Sequence, residues 1–286
     1  MDHLPIITFI GPGVMAEAMI SGLIRQAVAD AGQIRASGPH NDRVTDLQAR
    51  YGLAPFTDNA AAVADADVVV LSVKPQRLDK VLTALQGKIS PNALVLSIVA
   101  GAPILTLQTG LQHPHLVRAM PNTPAQIGEG ITVWTAAASV SEEQRELARK
   151  ILGALGEQIF VEEESYLDMA TAVSGSGPAY IFLFLEAMID AGVHLGLPRR
   201  IAEQMVVQTL KGSVDYYQKN KLHPATMRNQ VTSPGGTSAA ALYYLEKAGF
   251  RTAISRAIWA AYERSVELGQ KTASAAAARS PERNSD

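Results

Sequence analysis

The sequence predicts an α/β chain in which a doubly wound parallel sheet is followed by a smaller all-helical domain. Three observations carry this. Short apolar β-rich runs alternate with helical patterns through the first half, a Gly-x-Gly turn separates the first run from the first helix, and the β signal stops near Val161.

The predicted strands are "IITFI" (6–10), "QIRAS" (33–37), "DVVVLSV" (67–73), "ALVLSIV" (93–99), "HLVRAM" (115–120) and "EQIFV" (157–161). They are nearly continuous apolar runs rather than alternating ones, the pattern of a parallel sheet covered on both faces. Segments such as "VMAEAMISGLIRQAVADA" and "PQRLDKVLTALQGK" supply the crossover helices. The expected dinucleotide-type domain covers residues 1–162. Beyond it, "GPAYIFLFLEAMIDAGVHLGL", "RRIAEQMVVQTLKGSVDYYQK" and "RTAISRAIWAAYERSVELGQK" read as long helices of a second domain, 163–272. The first of these is apolar almost all round, so it is expected to be buried on every side, with a partner subunit covering what its own domain cannot. The small polar segment 273–286 is expected to be a flexible tail.

At 286 residues, with 47% hydrophobic and 18% charged, the chain has enough apolar surface for two cores. Its net charge of −2 and lack of a Lys/Arg cluster argue against a nucleic-acid partner. The absence of cysteine excludes disulfides, a thiol nucleophile and Cys-ligated zinc. The start "MDHLPIITFIGPG" lacks a basic segment followed by a long apolar one, and no later stretch is unbroken apolar sequence of spanning length. A cytoplasmic chain with no membrane partner is therefore expected. The 6 histidines show no i, i+4 pair and no ligand-like spacing with acids, so no metal is expected.

"IITFIGPGVMAEAMI" places Gly11, Gly13 and Ala16 after a strand and at the start of a helix. The first glycine permits the tight turn, the second lets a pyrophosphate approach the backbone, and the small third residue allows close helix–strand packing. This is a Rossmann-type dinucleotide loop, or a glycine turn of another doubly wound protein. At the end of the second strand, where a carboxylate would hold the ribose of NAD, stands Ser37, with Asn41 and Arg43 close behind. A hydroxyl and a guanidinium suit a 2′-phosphate, which favours NADPH and leaves NADH possible. Arg43 is otherwise a solvated helix residue.

Three further strand ends carry unusual sequence: "LSVKPQ" (71–76), "SIVAGAP" (97–103) and "RAMPNTPAQIGEG" (118–130). Ligands of open α/β sheets bind at such ends. Lys74 is a catalytic amine or a positional residue, and Asn122 and Thr123 are ligand contacts or ordinary turn residues. Two more stretches look like anion cradles at helix N-termini: "AVSGSGPAYIF", where Pro178 enters a first turn, and "VTSPGGTSAAALYYLE" (231–246). No acid–base dyad stands out.

In order along the chain, "FIGPGVMAEAMI", "VKPQ", "RAMPNTPA", "VSGSGPAY" and "SPGGTS" together resemble the pyrroline-5-carboxylate reductases over roughly residues 5–270. The resemblance implies an N-terminal Rossmann domain, a helical dimerisation domain, and reduction of a cyclic imine acid to L-proline by NAD(P)H. It also implies a homodimer, possible assembly of dimers into larger particles, and an active site where the cofactor of one subunit faces the helical domain of the other.

On that resemblance, Ser176, Ser233, Gly235, Gly236, Thr237 and Ser238 bind the imino-acid substrate, with Ser238 hydrogen-bonded to the ring nitrogen as the catalytic residue. The cofactor is expected against Gly11, Gly13, Val14, Met15 and Ala16, then Ser37, Asn41, Arg43 and Asn59. The remaining contacts are Val73, Lys74, Pro75, Ala100, Gly101, Asn122 and Thr123. A protonated imine is already electrophilic, so a hydride donor, a carboxylate clamp and one hydroxyl suffice, and the missing dyad fits. The sequence departs from the family pattern at Val14, usually Asn, at Ser238, usually Thr, and at Arg228 and Asn229, often a Lys–Asp pair.

Overall fold

The structure is a computed structural model that describes residues 5–277. Its sheet has eight strands in the order β3-β2-β1-β4-β5-β6-β7-β8. The chain runs β1 (Ile7–Ile10), α1 (Val14–Arg25), β2 (Ile34–Ser37), α2 (Asn41–Tyr51), β3 (Ala54–Phe56), α3 (Asn59–Val63) and β4 (Val68–Leu71). It continues through α4 (Pro75–Leu85), β5 (Leu94–Ser97), α5 (Ile104–Leu111), β6 (Leu116–Met120), β7 (Gly130–Ala136), α6 (Glu142–Gly153) and β8 (Gly156–Phe160). All six predicted strands are present, five of them shortened at one or both ends and the last, β8, shifted one residue earlier.

β1, β4 and β5 are buried at every position, as expected of strands covered on both faces. The covering helices present one apolar stripe each: Ala16, Met19, Ile20 and Leu23 on α1, and Leu78, Val81, Leu82 and Leu85 on α4, both at helical i, i+3, i+4, i+7 spacing. Pro75 starts α4, where its missing N–H costs nothing. β1 pairs in parallel with both β2 and β4, so the chain leaves β1 in opposite directions on its two sides. That is the switch point at which doubly wound sheets open a ligand crevice.

Two strands are additions to the sequence reading. β3 is three residues long, contains Pro55 and lies at the sheet edge, one of the few places a strand tolerates proline. β7 runs antiparallel to β6, and β8 pairs in parallel with β7, so the parallel sheet expected from the sequence carries a reversed two-strand margin. The connection over residues 121–129 holds only the short 3₁₀ turn Thr123–Ile127. A parallel crossover needs a dozen or more residues, so the chain returns antiparallel.

The chain divides into two compact units, one running up to Ser176 and joined by the chain from Ala261 onward, the other Gly177–Ala260. The first unit takes in α7 (Tyr166–Ala170) and the π turn Thr171–Gly175. The second contains α8 (Gly177–His194), α9 (Arg199–Asn220), α10 (Pro224–Gln230), α11 (Thr237–Lys247) and the start of α12 (Phe250–Ala277). α12 takes in 273–277 of the segment expected as a tail, in keeping with the helix propensity of its alanines. Residues 278–286 lie outside the described residues.

Within one chain α8 is not buried on every side as the sequence suggests. Ile189 is buried with Ala202 and Val206 of α9, but Ile181, Phe182 and Leu183 are 57%, 59% and 67% exposed. The run Tyr166–His194 is long and apolar enough to cross a membrane by length and composition alone. An exposed apolar face this large on so small a core marks a surface that another body covers.

Candidate functional site

The glycine turn leaves β1 at Gly11, whose φ is +92°. A Cβ there would lie 2.5 Å from Val73 Cγ1 and 2.9 Å from Val73 Cα, so both the conformation and the space demand glycine. The Gly11 N–H donates to Ser37 O at 2.9 Å and the Gly13 N–H to Gly11 O at 2.8 Å. Ser72 Oγ donates to the carbonyls of Ile10 and Gly11 at 3.1 and 2.9 Å. The turn is thereby stitched to the ends of β2 and β4. α1 then begins with no side-chain cap at Gly13, and Gly13 and Val14 are exposed. The first N–H groups of this helix, at Val14, Met15 and Ala16, have no intrahelical partner and suit an anion.

Beside the turn lies a cavity of about 550 Å³ whose walls include Gly11, Ser37, Gly38, Asn59 and Val73. Ser37 is fully buried and gives its hydroxyl to Asn59 Oδ1 at 2.7 Å, which leaves the Asn59 amide donors for a ligand. Ser37 therefore orients Asn59. An open helix N-terminus, a backbone turn with no room for a side chain and a polar corner at Ser37 and Asn59 together fit a dinucleotide.

Arg43 is placed differently from the sequence expectation. It donates from Nε to Pro12 O at 2.9 Å, from one terminal nitrogen to Glu17 and from the other to Asp46 at 3.1 Å, and it is not among the residues lining the cavity. Its guanidinium is spent on bracing the turn, because Glu17 in the first turn of α1 presents a carboxylate to it. Asn41 opens α2 in solvent.

Glu17 also accepts from Arg50 and from Tyr51 Oη at 3.0 Å. Burial alone raises its carboxyl pKa, but the hydrogen bonds from Arg43, Tyr51 and Arg50 outweigh that and hold it below the ordinary value. A lowered folded pKa contributes stability above the unfolded value, and that contribution is lost as pH falls through the folded one. Glu17→Gln is accordingly expected to cost about 1–2 kcal/mol at pH 7. Denaturant melts should show the gap to wild type narrowing below the unfolded Glu value of about 4.3 and closing at lower pH. A gap that is the same at both pH values would show that charge plays no part.

At the other strand ends, Lys74 precedes Pro75 as the exposed N-cap of α4, Ala100 and Gly101 form the turn after β5, and Thr123 begins the 3₁₀ turn. Asn122 is buried, and its amide is committed at both ends: Nδ2 donates to Ser174 O at 3.2 Å and Oδ1 accepts from the Ile131 N–H at 2.9 Å. It ties the π turn to the head of β7.

Arg118, at the middle of β6, escaped the sequence reading. It is 5% exposed and pairs with Glu164 at 2.8 Å and Asp168 at 3.5 Å. Glu164 also accepts from the Ile104 N–H at 2.8 Å, at the start of α5, and Asp168 from Ser265 Oγ of α12 at 2.7 Å. The signal was available, since an arginine inside the apolar run "HLVRAM" needs buried acids.

In the helical unit, residues 231–236 form an exposed turn before α11. Gly235 has φ +72°, the Gly236 N–H donates to Ser233 O at 3.0 Å, and α11 starts at Thr237 with no side-chain cap. The stretch Ser233–Ser238 thus combines an open helix N-terminus with serine and threonine hydroxyls at its lip. The "SGSG" stretch is built otherwise than expected. Residues 171–175 are a π turn continuous with α7, and the Ser176 N–H donates to Thr171 O at 2.8 Å. Only its hydroxyl remains for a ligand.

Residues 164–268 match the family profile described as pyrroline-5-carboxylate reductase dimerisation, and residues 6–101 match that of coenzyme F420-dependent NADP oxidoreductases. The exposed apolar face of α8 accordingly belongs to a dimerisation domain. The pyrroline-5-carboxylate reductase of Synechocystis is 44% identical over 92% of this chain and 97% of its own length. That of Pseudomonas aeruginosa is 43% identical over 93% and 98%. The crystal structure of Plasmodium falciparum pyrroline carboxylate reductase with NADP bound superposes with a TM-score of 0.86 at 32% identity, covering 93% of this chain and 98% of that one. With relatives of this identity aligned over nearly their whole length, the chain belongs to the pyrroline-5-carboxylate reductase family.

Proposed function

We propose that the protein reduces 1-pyrroline-5-carboxylate to L-proline with NADPH, acting as a homodimer that can assemble further. The observation that carries the reading is the pairing of two open helix N-termini in one chain of this family. The turn before α1 suits a pyrophosphate, and the turn before α11 suits a small carboxylate.

In this reading the N–H groups at the start of α11, with the hydroxyls of Ser233 and Thr237, hold the substrate carboxylate. Ser238 meets the ring nitrogen. The bound reduced nicotinamide supplies a hydride to the C=N carbon. The C=N π pair becomes the nitrogen lone pair, so a protonated imine yields the secondary amine directly and no side chain has to deliver a proton in the step. Positioning then does most of the catalysis, and orientation of this kind is worth on the order of 7–11 kcal/mol. The absence of an acid–base dyad agrees with it. A cysteine-free chain running a nicotinamide reduction goes with the cytoplasm.

The test is NADPH oxidation on addition of pyrroline-5-carboxylate, beside its six-membered homologue. Turnover of the five-membered ring with little on the larger one is expected, and a folded dimer that oxidises NADPH with neither would overturn the reading. Ser238→Ala is expected to lower kcat by roughly tenfold to a hundredfold, the worth of about 1.5–3 kcal/mol for a hydrogen bond to a charged group, with NADPH affinity unaltered. An unchanged rate removes Ser238 from the mechanism.

A further inference from the structure

We infer that Arg77 and Lys80, on α4, are the residues that read the 2′-phosphate of NADPH and so set the preference over NADH; the inference rests on the nucleotide-dependent reductase reading above. Three observations lead to them.

The first arginine or lysine after the end of β2 is Arg43, and it is unavailable. Its guanidinium is held by Pro12 O, Glu17 and Asp46. Moving it to a phosphate would strip the brace from the glycine turn and leave the largely buried Glu17 carboxylate short of a partner. A 2′-phosphate bound in the cavity beside Ser37 needs its positive charge from elsewhere.

The wall of that cavity opposite in sequence is α4. Arg77, Lys80, Val81 and Ala84 all line it, at the i, i+3, i+4, i+7 spacing that puts residues on one helix face. Both cations therefore share a cavity with Ser37 and Asn59, the polar corner at the end of β2. Val81, Ala84 and Val73 give the same wall an apolar part that suits a base, so polar and apolar needs of a phosphorylated adenosine are met within one cavity.

Neither side chain is engaged already. Arg77 and Lys80 are exposed, and neither enters an ion pair among the described residues. The acid lining the cavity, Asp58, is occupied as the N-cap of α3, accepting from the Ala60 N–H at 2.9 Å. No carboxylate projects from the end of β2, where NAD-binding sheets place one. Two uncompensated cations against one capping acid make the cavity attractive to a phosphate dianion, and the Arg77 fork can bind it through two nitrogens at once.

The experiment titrates NADPH and NADH into the full-length dimer by nucleotide fluorescence, for wild type, the double variant R77A/K80A and R43A. The double variant is expected to lose roughly tenfold to a hundredfold in NADPH affinity, as for charge-assisted contacts, with NADH affinity within about twofold of wild type. 2′,5′-ADP should displace nucleotide well from wild type and poorly from the double variant. Equal weakening of both nucleotides, no preference in wild type, or erasure of the preference by R43A alone overturns the assignment. Wild type that binds neither nucleotide overturns the reductase reading itself. Both substituted side chains lie in solvent on a helix surface, and alanine is a good helix former, so the variants fold.

Discussion

Gly11→Ala is expected to lower stability by about 3 kcal/mol and NADPH affinity by on the order of a hundredfold. The stability loss has two sources, a left-handed backbone that an L side chain occupies at about 1–2 kcal/mol and overpacking worth about 1–3 kcal/mol. Relief by rotation is closed off, because the nearest atoms to the new Cβ include the Val73 Cα and N at 2.9 and 3.0 Å as well as its side chain. The backbone must move instead, and it carries with it the hydrogen bond from the Gly11 N–H to Ser37 O. Hydrogen bonds from the N–H groups at the start of α1 to a charged pyrophosphate are worth about 1.5–3 kcal/mol each, and misplacing them sets the expected affinity loss. Gly13→Ala is the internal control. A Cβ at Gly13 meets only Gly11 O, at 4.0 Å, so that variant should fold normally and lose affinity only by crowding the phosphate. Thermal melts with and without NADPH separate the two, and a Gly11→Ala protein with wild-type melting and binding would contradict the geometry of the turn.

Arg118→Ala is expected to destabilise the first unit by about 2–3 kcal/mol in denaturant melts. Breaking a buried ion pair by removing one partner costs about 3–5 kcal/mol because the other charge is left uncompensated. Here the discount is that Glu164 and Asp168 side chains are 33% and 21% exposed, and each keeps one other hydrogen bond, from the Ile104 N–H and from Ser265 Oγ. The loss should be smaller in Arg118→Lys, which keeps the charge but not the fork that spans both acids. Equal stability of Arg118→Ala and wild type would mean that the two acids, not the arginine, anchor α7 to the sheet. Since β6, α5, α7 and α12 all meet in this one network, its loss is also expected to loosen the turn Ala100–Gly101, read as increased hydrogen exchange there.

The family, the sheet and the long helices were all legible in the sequence, for reasons that are local. Four-residue strands buried on both faces cannot avoid apolar runs, so β1, β4 and β5 announced themselves. The glycine turn did too, because the backbone conformation at Gly11 admits no other residue and leaves a mark in the sequence itself. The short edge strand β3 left none, since "APF" has neither length nor periodicity; the β-branched run of "GITVWTA" does favour a strand, but its reversed direction follows only from the short connection before it, which cannot carry a crossover.

The candidate site divides along the same line. That Gly11, Gly13 and the Ser233–Ser238 stretch present open backbone was written in glycines and hydroxyls next to helix starts, where sequence and geometry are nearly one thing. Which polar side chains remain free for a ligand was not. Asn122 and Arg43 look available in sequence, yet each is consumed by partners outside its own turn, Ser174 and Ile131 for one, Pro12 and Glu17 for the other. Arg77 and Lys80, unremarked among the charges of an ordinary helix, face the cavity. Backbone demands are set by a residue and its immediate neighbours, so the sequence alone decides them. A side chain's hydrogen bonds go to whichever partner folding brings nearest, and only the tertiary structure makes that choice.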